Sequence, residues 1–87
     1  MYTFIFSKKA EKSFKKQDLL FQKRLIQKLK NLKNVDNIFV YLSKLENMLP
    51  ATHRLRIWDI RVILEQDKEN SNTFIILKCW KRWDIYK

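Results

Sequence analysis

Glycine is absent from this 87-residue chain, although an average protein has about 7% of it. That absence excludes phosphate sites built from glycine-rich loops, the P-loop and the dinucleotide fingerprint alike. Any phosphate bound here must be held by side chains. A single cysteine, Cys79, excludes an internal disulfide and fits a reducing compartment. It lies in an apolar run and reads as a buried structural thiol. With His53 as the sole imidazole, no metal-ligand spacing exists, so neither metal nor cofactor is expected. Acids are scarce as well: nine Asp and Glu face nineteen Lys and Arg, a formal charge of +10. No apolar run reaches membrane-spanning length. The opening MYTFIFSKK lacks the basic segment and apolar stretch of a secretory signal. A cytoplasmic protein with no membrane partner is expected.

What is present is basic and aromatic. Six Phe, three Trp and three Tyr can supply a core for one domain over 1–87, near the lower size limit for folding without staples. The charge calls for an anionic partner: nucleic acid first, then an acidic protein, then an anionic membrane. Residues 1–50 hold ten Lys and one Arg against four acids, whereas residues 51–87 hold four Lys and four Arg against five. Lysines provide a diffuse field, and arginines concentrate further along the chain.

The stretch ATHRLRIWDIRVILEQ, residues 51–66, carries the most information. With Trp58-Asp59 as a two-residue loop, Ile57 sits opposite Ile60 and Arg56 opposite Arg61. Side chains alternate along a strand, so Arg54, Arg56 and Arg61 share one face, and Leu55, Ile57, Ile60, Val62 and Leu64 share the other. Like charges directly opposed on a sheet are destabilising. Such a cluster suits an anion, and arginine is shaped to grip phosphate. The alternative is a solvated strand face with its arginines fanning into water.

Around this hairpin the pattern predicts a strand at Tyr2–Phe6 and a helix over about 8–16 capped by Ser7. A longer helix, capped by Asp18, reaches to about Leu32. Its Phe21, Leu25, Leu29 and Leu32 recur at spacings of four, four and three, one buried stripe. Residues 33–52 read as a connecting loop with one extended turn near Ile38–Leu42. Strands follow at about 53–57, 60–66 and 73–79. The expected fold is α+β, in the order β-α-α-β-β-β: a small, mainly antiparallel sheet with an N-terminal helical hairpin on one face.

These residues resemble the RelE/ParE superfamily of toxin–antitoxin toxins, and the RelE-like branch in particular. The family's strand pair resembles Arg-Leu-Arg-x-Gly-Asp-Tyr-Arg-Val-Ile. Here it reads Arg54-Leu55-Arg56-Ile57-Trp58-Asp59-Ile60-Arg61-Val62-Ile63. The family's Gly-His-Arg-x-Glu-Val-Tyr is similar to Trp80-Lys81-Arg82-Trp83-Asp84-Ile85-Tyr86. Trp58 replaces the turn glycine, Ile60 the tyrosine, and Lys81 stands where His is common. The resemblance implies the RelE-like microbial RNase fold and an antitoxin partner. It implies two activities on that fold: ribosome-dependent cleavage of mRNA in the A site, or inhibition of DNA gyrase without cleavage.

For cleavage, the resemblance implies attack by the substrate's own 2′-OH on the neighbouring phosphate. Arg61 and Arg82 match arginines assigned to phosphate binding, charge stabilisation and help to the leaving group. Arg54 stands where a basic residue acts as base or as charge support. Arginine hardly deprotonates, so charge support is the better reading. Tyr86 matches a C-terminal tyrosine that orients the nucleotide. What takes the 2′-OH proton is open: Lys81, beside Arg82, is one candidate, and His53, the sole imidazole, is the other. Arg56, Lys78 and Trp83 are candidate RNA contacts, because aromatics interleaved with cations can stack bases. Trp80 reads slightly better as a cap on the core. His53, by strict alternation, points to the core side. The favoured reading is a type II toxin that blocks translation as an mRNA endoribonuclease, with the ribosome, mRNA and a cognate antitoxin as partners. The alternatives are a gyrase inhibitor, an inactive antitoxin-binding relative, or a general RNA-binding domain.

Overall fold

The computed structural model describes residues 1–82. The chain runs β1 (Thr3–Phe6), α1 (Lys8–Lys16), α2 (Leu19–Leu32), a 3-10 turn (Ile38–Val40), β2 (Leu42–Lys44), β3 (His53–Ile57), β4 (Ile60–Gln66) and β5 (Thr73–Lys81). Each helix begins where a short polar side chain can satisfy an orphan amide. Ser7 Oγ accepts from the Ala10 N–H at 3.1 Å, and Asp18 Oδ1 from the Phe21 N–H at 2.8 Å. Gln22 Nε2 donates back to the Phe14 and Gln17 carbonyls at 3.3 and 3.0 Å. It thereby closes the end of α1 and folds the two helices into a hairpin.

The strands form one sheet in the order β1-β5-β4-β3-β2. β1 runs parallel to β5, and every other neighbouring pair is antiparallel. The helices pack on one face of it. Phe21, Leu25, Leu29 and Leu32 of α2 are buried there, as their spacing requires, together with Leu55, Val62, Leu64, Phe74 and Ile76 from the strands. This is the expected α+β layer.

Two details depart from the sequence reading. The loop at 33–52 contains a strand, β2, at the sheet edge. Its Leu42 lies opposite Leu55 and packs against the core, which anchors a segment too short to show periodicity. The last strand also runs two residues further, to Lys81, and carries an irregularity. Ile63 pairs with Lys78 but Leu64 pairs with Ile76, so Leu77 is an extra residue on β5.

Candidate nucleic-acid interface

The β3–β4 hairpin adopts the expected register: Ile57 lies opposite Ile60, Arg56 opposite Arg61, and Leu55 opposite Val62. Burial alternates strictly along β3, so Arg54 and Arg56 are exposed between buried neighbours. Paired residues share a face, and the ladder continues into β5. One row reads Arg54–Ile63–Lys78 and the next Arg56–Arg61–Trp80. Among the described residues no helix covers this side of the sheet. The result is an open basic face with an aromatic at one end of it.

The turn holds Arg61 by its side chain and Arg82 by its backbone. Arg61 Nη1 donates to the Trp58 carbonyl at 2.7 Å and to its neighbour Ile60's at 3.2 Å. The Arg82 N–H donates to the Asp59 carbonyl at 2.6 Å. Partial burial lowers the proton affinity of Arg61 most, followed by the charges of Arg56, Arg82 and Arg54, with Asp59 opposing. An arginine stays charged at neutral pH even so. Arg56, Arg82 and Arg54 thus each bear on Arg61. Lys78 adds a fifth cation, its Nζ 5.1 Å from the centroid of the Trp80 ring.

The turn itself is tight. Trp58 takes φ 55° at its first central position, where the primed two-residue turns demand positive φ and glycine is usual. The side chain is 82% exposed. The Arg24 guanidinium of α2 lies 5.3 Å from its ring centroid, and Arg24 Nη1 stands 4.0 Å from Asp59 Oδ1. The turn is therefore as narrow as the register required, despite the tryptophan.

Lys81 is placed differently from the sequence reading. It lies opposite Ile60 on the helix-covered side, and its ammonium pairs with the Asp18 carboxylate at the head of α2. That contact, ahead of the Phe21 N–H, holds the Asp18 carboxyl below its ordinary range. The cause is the extra residue at Leu77. Unbroken alternation from the buried Phe74 and Ile76 would send Lys78 and Trp80 inward and Lys81 outward. The bulge reverses all three.

Trp80, read from the sequence as slightly the better cap on the core, is accordingly placed otherwise. It lies beside Arg61 on the basic face, not over the core. The bulge shows in the burial, since buried Phe74, Ile76 and Cys79 are spaced two and then three apart, which a regular strand does not permit. Glu65 shares this face as well, but four residues up β4 from Arg61, about 13 Å along the strand. It is too distant to share a substrate proton with Arg61. Trp83 and Tyr86 lie outside the described residues.

His53 faces the core, as alternation predicted. Its Nδ1 lies 2.9 Å from Thr52 Oγ1, and its ring packs against Phe39 and Phe74. Burial, with Lys44 nearby, pushes its pKa down. Burial raises the Cys79 thiol to about 11, so it is inert at neutral pH. Among the described residues no cluster of His, Cys, Asp and Glu could hold a metal, and no helix is long and apolar enough to cross a membrane.

No protein-family model matches this chain, and no curated protein matches it in sequence. Solved structures do match it in fold. A chain of the intact E. coli RelBE toxin–antitoxin complex aligns with a TM-score of 0.68 at 18% identity, over 93% of this chain and 96% of that one. A chain of the Mycobacterium tuberculosis RelBE2 complex aligns at 0.71 and 20% identity, over 93% and 98%. A chain of the archaeal RelE–RelB complex from Pyrococcus horikoshii aligns at 0.67 and 23% identity, over 93% and 94%. The chain has the RelE-like fold.

Proposed function

We propose that this protein is the toxin of a toxin–antitoxin pair and that it cleaves mRNA in the ribosomal A site. The observation that carries the reading is the placement of Arg54, Arg56 and Arg61 together on an uncovered sheet face bearing Trp80. A merely solvated face gains nothing from opposing two arginines across a hairpin. A face that receives a phosphate uses that arrangement directly.

In the proposed reaction the 2′-OH oxygen attacks the adjacent phosphorus and its proton departs. The P–O5′ bond breaks, and the 5′ oxygen takes a proton. The intermediate phosphorane carries more negative charge than the starting diester, and fixed cations stabilise that increment most. Arg61 is suited to the phosphoryl oxygens, because the turn carbonyls already fix its guanidinium. Arg82 contributes from the other side of the turn. Arg54 and Arg56 supply charge along the incoming strand of RNA, and Lys78 and Trp80 offer an ammonium and a stacking surface. Lys81 has no part in the proton transfer, since it is tied to Asp18 on the far side of the sheet. Tyr86 remains the candidate for orienting the nucleotide. The ribosome would supply alignment of the RNA, which is worth several powers of ten in rate. The reading places the protein in the cytoplasm with an antitoxin that masks the basic face.

The test is translation of a defined mRNA on purified ribosomes, with 5′ ends mapped by primer extension. New ends in the A-site codon are expected, dependent on ribosomes and lost in Arg61→Ala and Arg82→Ala. Intact message at toxin concentrations that fully occupy the ribosome overturns the reading. One observation favours a second reading, gyrase inhibition. With Lys81 turned away and Ile60 in place of the family tyrosine, proton carriers near Arg61 are few among the described residues. Inhibition of supercoiling with mRNA left intact would establish it.

A further inference from the structure

Arg82 follows Lys81, the last residue of β5, and its charge bears on Arg61. Four arginines crowd the open face, and their mutual repulsion pushes the last of them, at the strand end, away from the others. Something must pin the main chain there. Two contacts do so, one within the sheet and one from its helical side. The Arg82 N–H is tied to the Asp59 carbonyl at 2.6 Å, and the Lys81 ammonium to the Asp18 carboxylate. Asp18 is itself fixed, because its other oxygen caps α2 at 2.8 Å from the Phe21 amide. Six residues further on, Arg24 of the same helix meets Asp59 and the ring of Trp58. The first turns of α2 thus grip both the hairpin loop and the end of β5, the two places from which Arg61 and Arg82 are held.

We propose that Asp18 is a positioning residue for the arginine face. By holding Lys81 on the helical side, it fixes the end of β5, from which Arg82 reaches Arg61. This rests on the cleavage reading. Asp18 touches no substrate and carries no proton. Lys81 is the other half of the same device.

The test separates the charge from the cap. Asn caps helices as well as Asp does, so Asp18→Asn keeps α2 while removing the partner of Lys81. Single-turnover cleavage on programmed ribosomes is measured for Asp18→Asn, Lys81→Met, the double variant and Lys81→Arg, each with its urea midpoint as a check on folding. A displacement on the order of 1 Å costs about a hundredfold. Losses of roughly tenfold to a hundredfold in rate, with half-saturation little changed, are therefore expected for both single variants. The double variant should be no slower than either, and Lys81→Arg, which keeps the ion pair, should recover most of the rate. The side-chain Nε–Hε resonances of Arg61 and Arg82 in the free protein should move in Asp18→Asn and stay in place in Lys81→Arg. Wild-type rate and unmoved resonances in Asp18→Asn overturn the proposal. So does a double variant whose loss is the product of the two singles, which would give Lys81 a task of its own. Should wild type not cleave at all, the cleavage reading fails, and the arginine resonances alone decide the positioning.

Discussion

Arg56 and Arg61 stand directly opposite each other across the β3–β4 hairpin, and Trp80 follows Arg61 in the same row. Opposed like charges destabilise a sheet unless something anionic lies across them. The fold therefore carries a local electrostatic cost at the place where a phosphate would be gripped.

Relieving that cost should be measurable without any activity. Arg56→Gln is expected to raise the urea midpoint at low salt, where the screening length is about 30 Å. The gain should vanish near 1 M salt, where that length is about 3 Å. The same variant should bind single-stranded RNA more weakly. A midpoint that falls at low salt would mean that Arg56 and Arg61 are not in net repulsion.

A second strain lies in the turn. Trp58 holds φ 55°, a region that costs a residue bearing a Cβ about 1–2 kcal/mol. Trp58→Ala keeps that cost and loses the Arg24 contact, worth about 0.5–1 kcal/mol at an exposed site. Trp58→Gly loses the contact and the strain together. The glycine variant should therefore exceed the alanine variant by about 1–2 kcal/mol in urea unfolding, and lie between wild type and about 1.5 kcal/mol above it. Equal stabilities for the two variants would show that the turn is unstrained.

The hairpin was legible in the sequence because its two faces differ chemically at every step, basic against aliphatic, and a one-residue slip would invert both. The helices were legible for a similar reason: Ser7 and Asp18 mark their starts, and the leucine stripe of α2 has a single period. β5 was harder to read. Its apolar residues cover both faces, so the extra residue at Leu77 left only a spacing irregularity between Ile76 and Cys79. That one residue moved Lys81 off the candidate site and brought Trp80 onto it. β2 was hidden because three residues held in place by one partner strand carry no period of their own. Arg24 gave no signal either, since its role depends on a hairpin more than thirty residues away.

His53 is expected to contribute to the acid limb of stability. Burial and Lys44 lower its pKa in the folded state from the ordinary 6.5, so the unfolded chain binds its proton more readily. That contribution is complete above about pH 6.5 and declines as the pH falls from there toward the folded-state pKa. The urea midpoint should drop between pH 7 and pH 5, and His53→Phe should show a smaller drop. Asp18 acts lower down: its depressed carboxyl stabilises the fold above 3.8 and ceases to do so as the pH falls through its folded-state value. An unchanged pH 7 to pH 5 difference in His53→Phe would assign the acid limb to other groups.

Salt dependence distinguishes a phosphate-gripping face from the general field of a chain with a net charge of +10. Each phosphate of a single strand neutralised by a cation contributes about −0.7 to the slope of log K against log salt. If Arg54, Arg56, Arg61, Arg82 and Lys78 each engage one phosphate, the slope for a short single-stranded RNA approaches about −3.5. Arg54→Ala should then reduce the slope by about 0.7. Lys12→Ala, an exposed position on α1 in the helical layer, should leave it unchanged. Equal reductions from the two variants would mean that the RNA is held by diffuse charge over the whole surface, and the arrangement of Arg56, Arg61 and Trp80 would then have no part in binding.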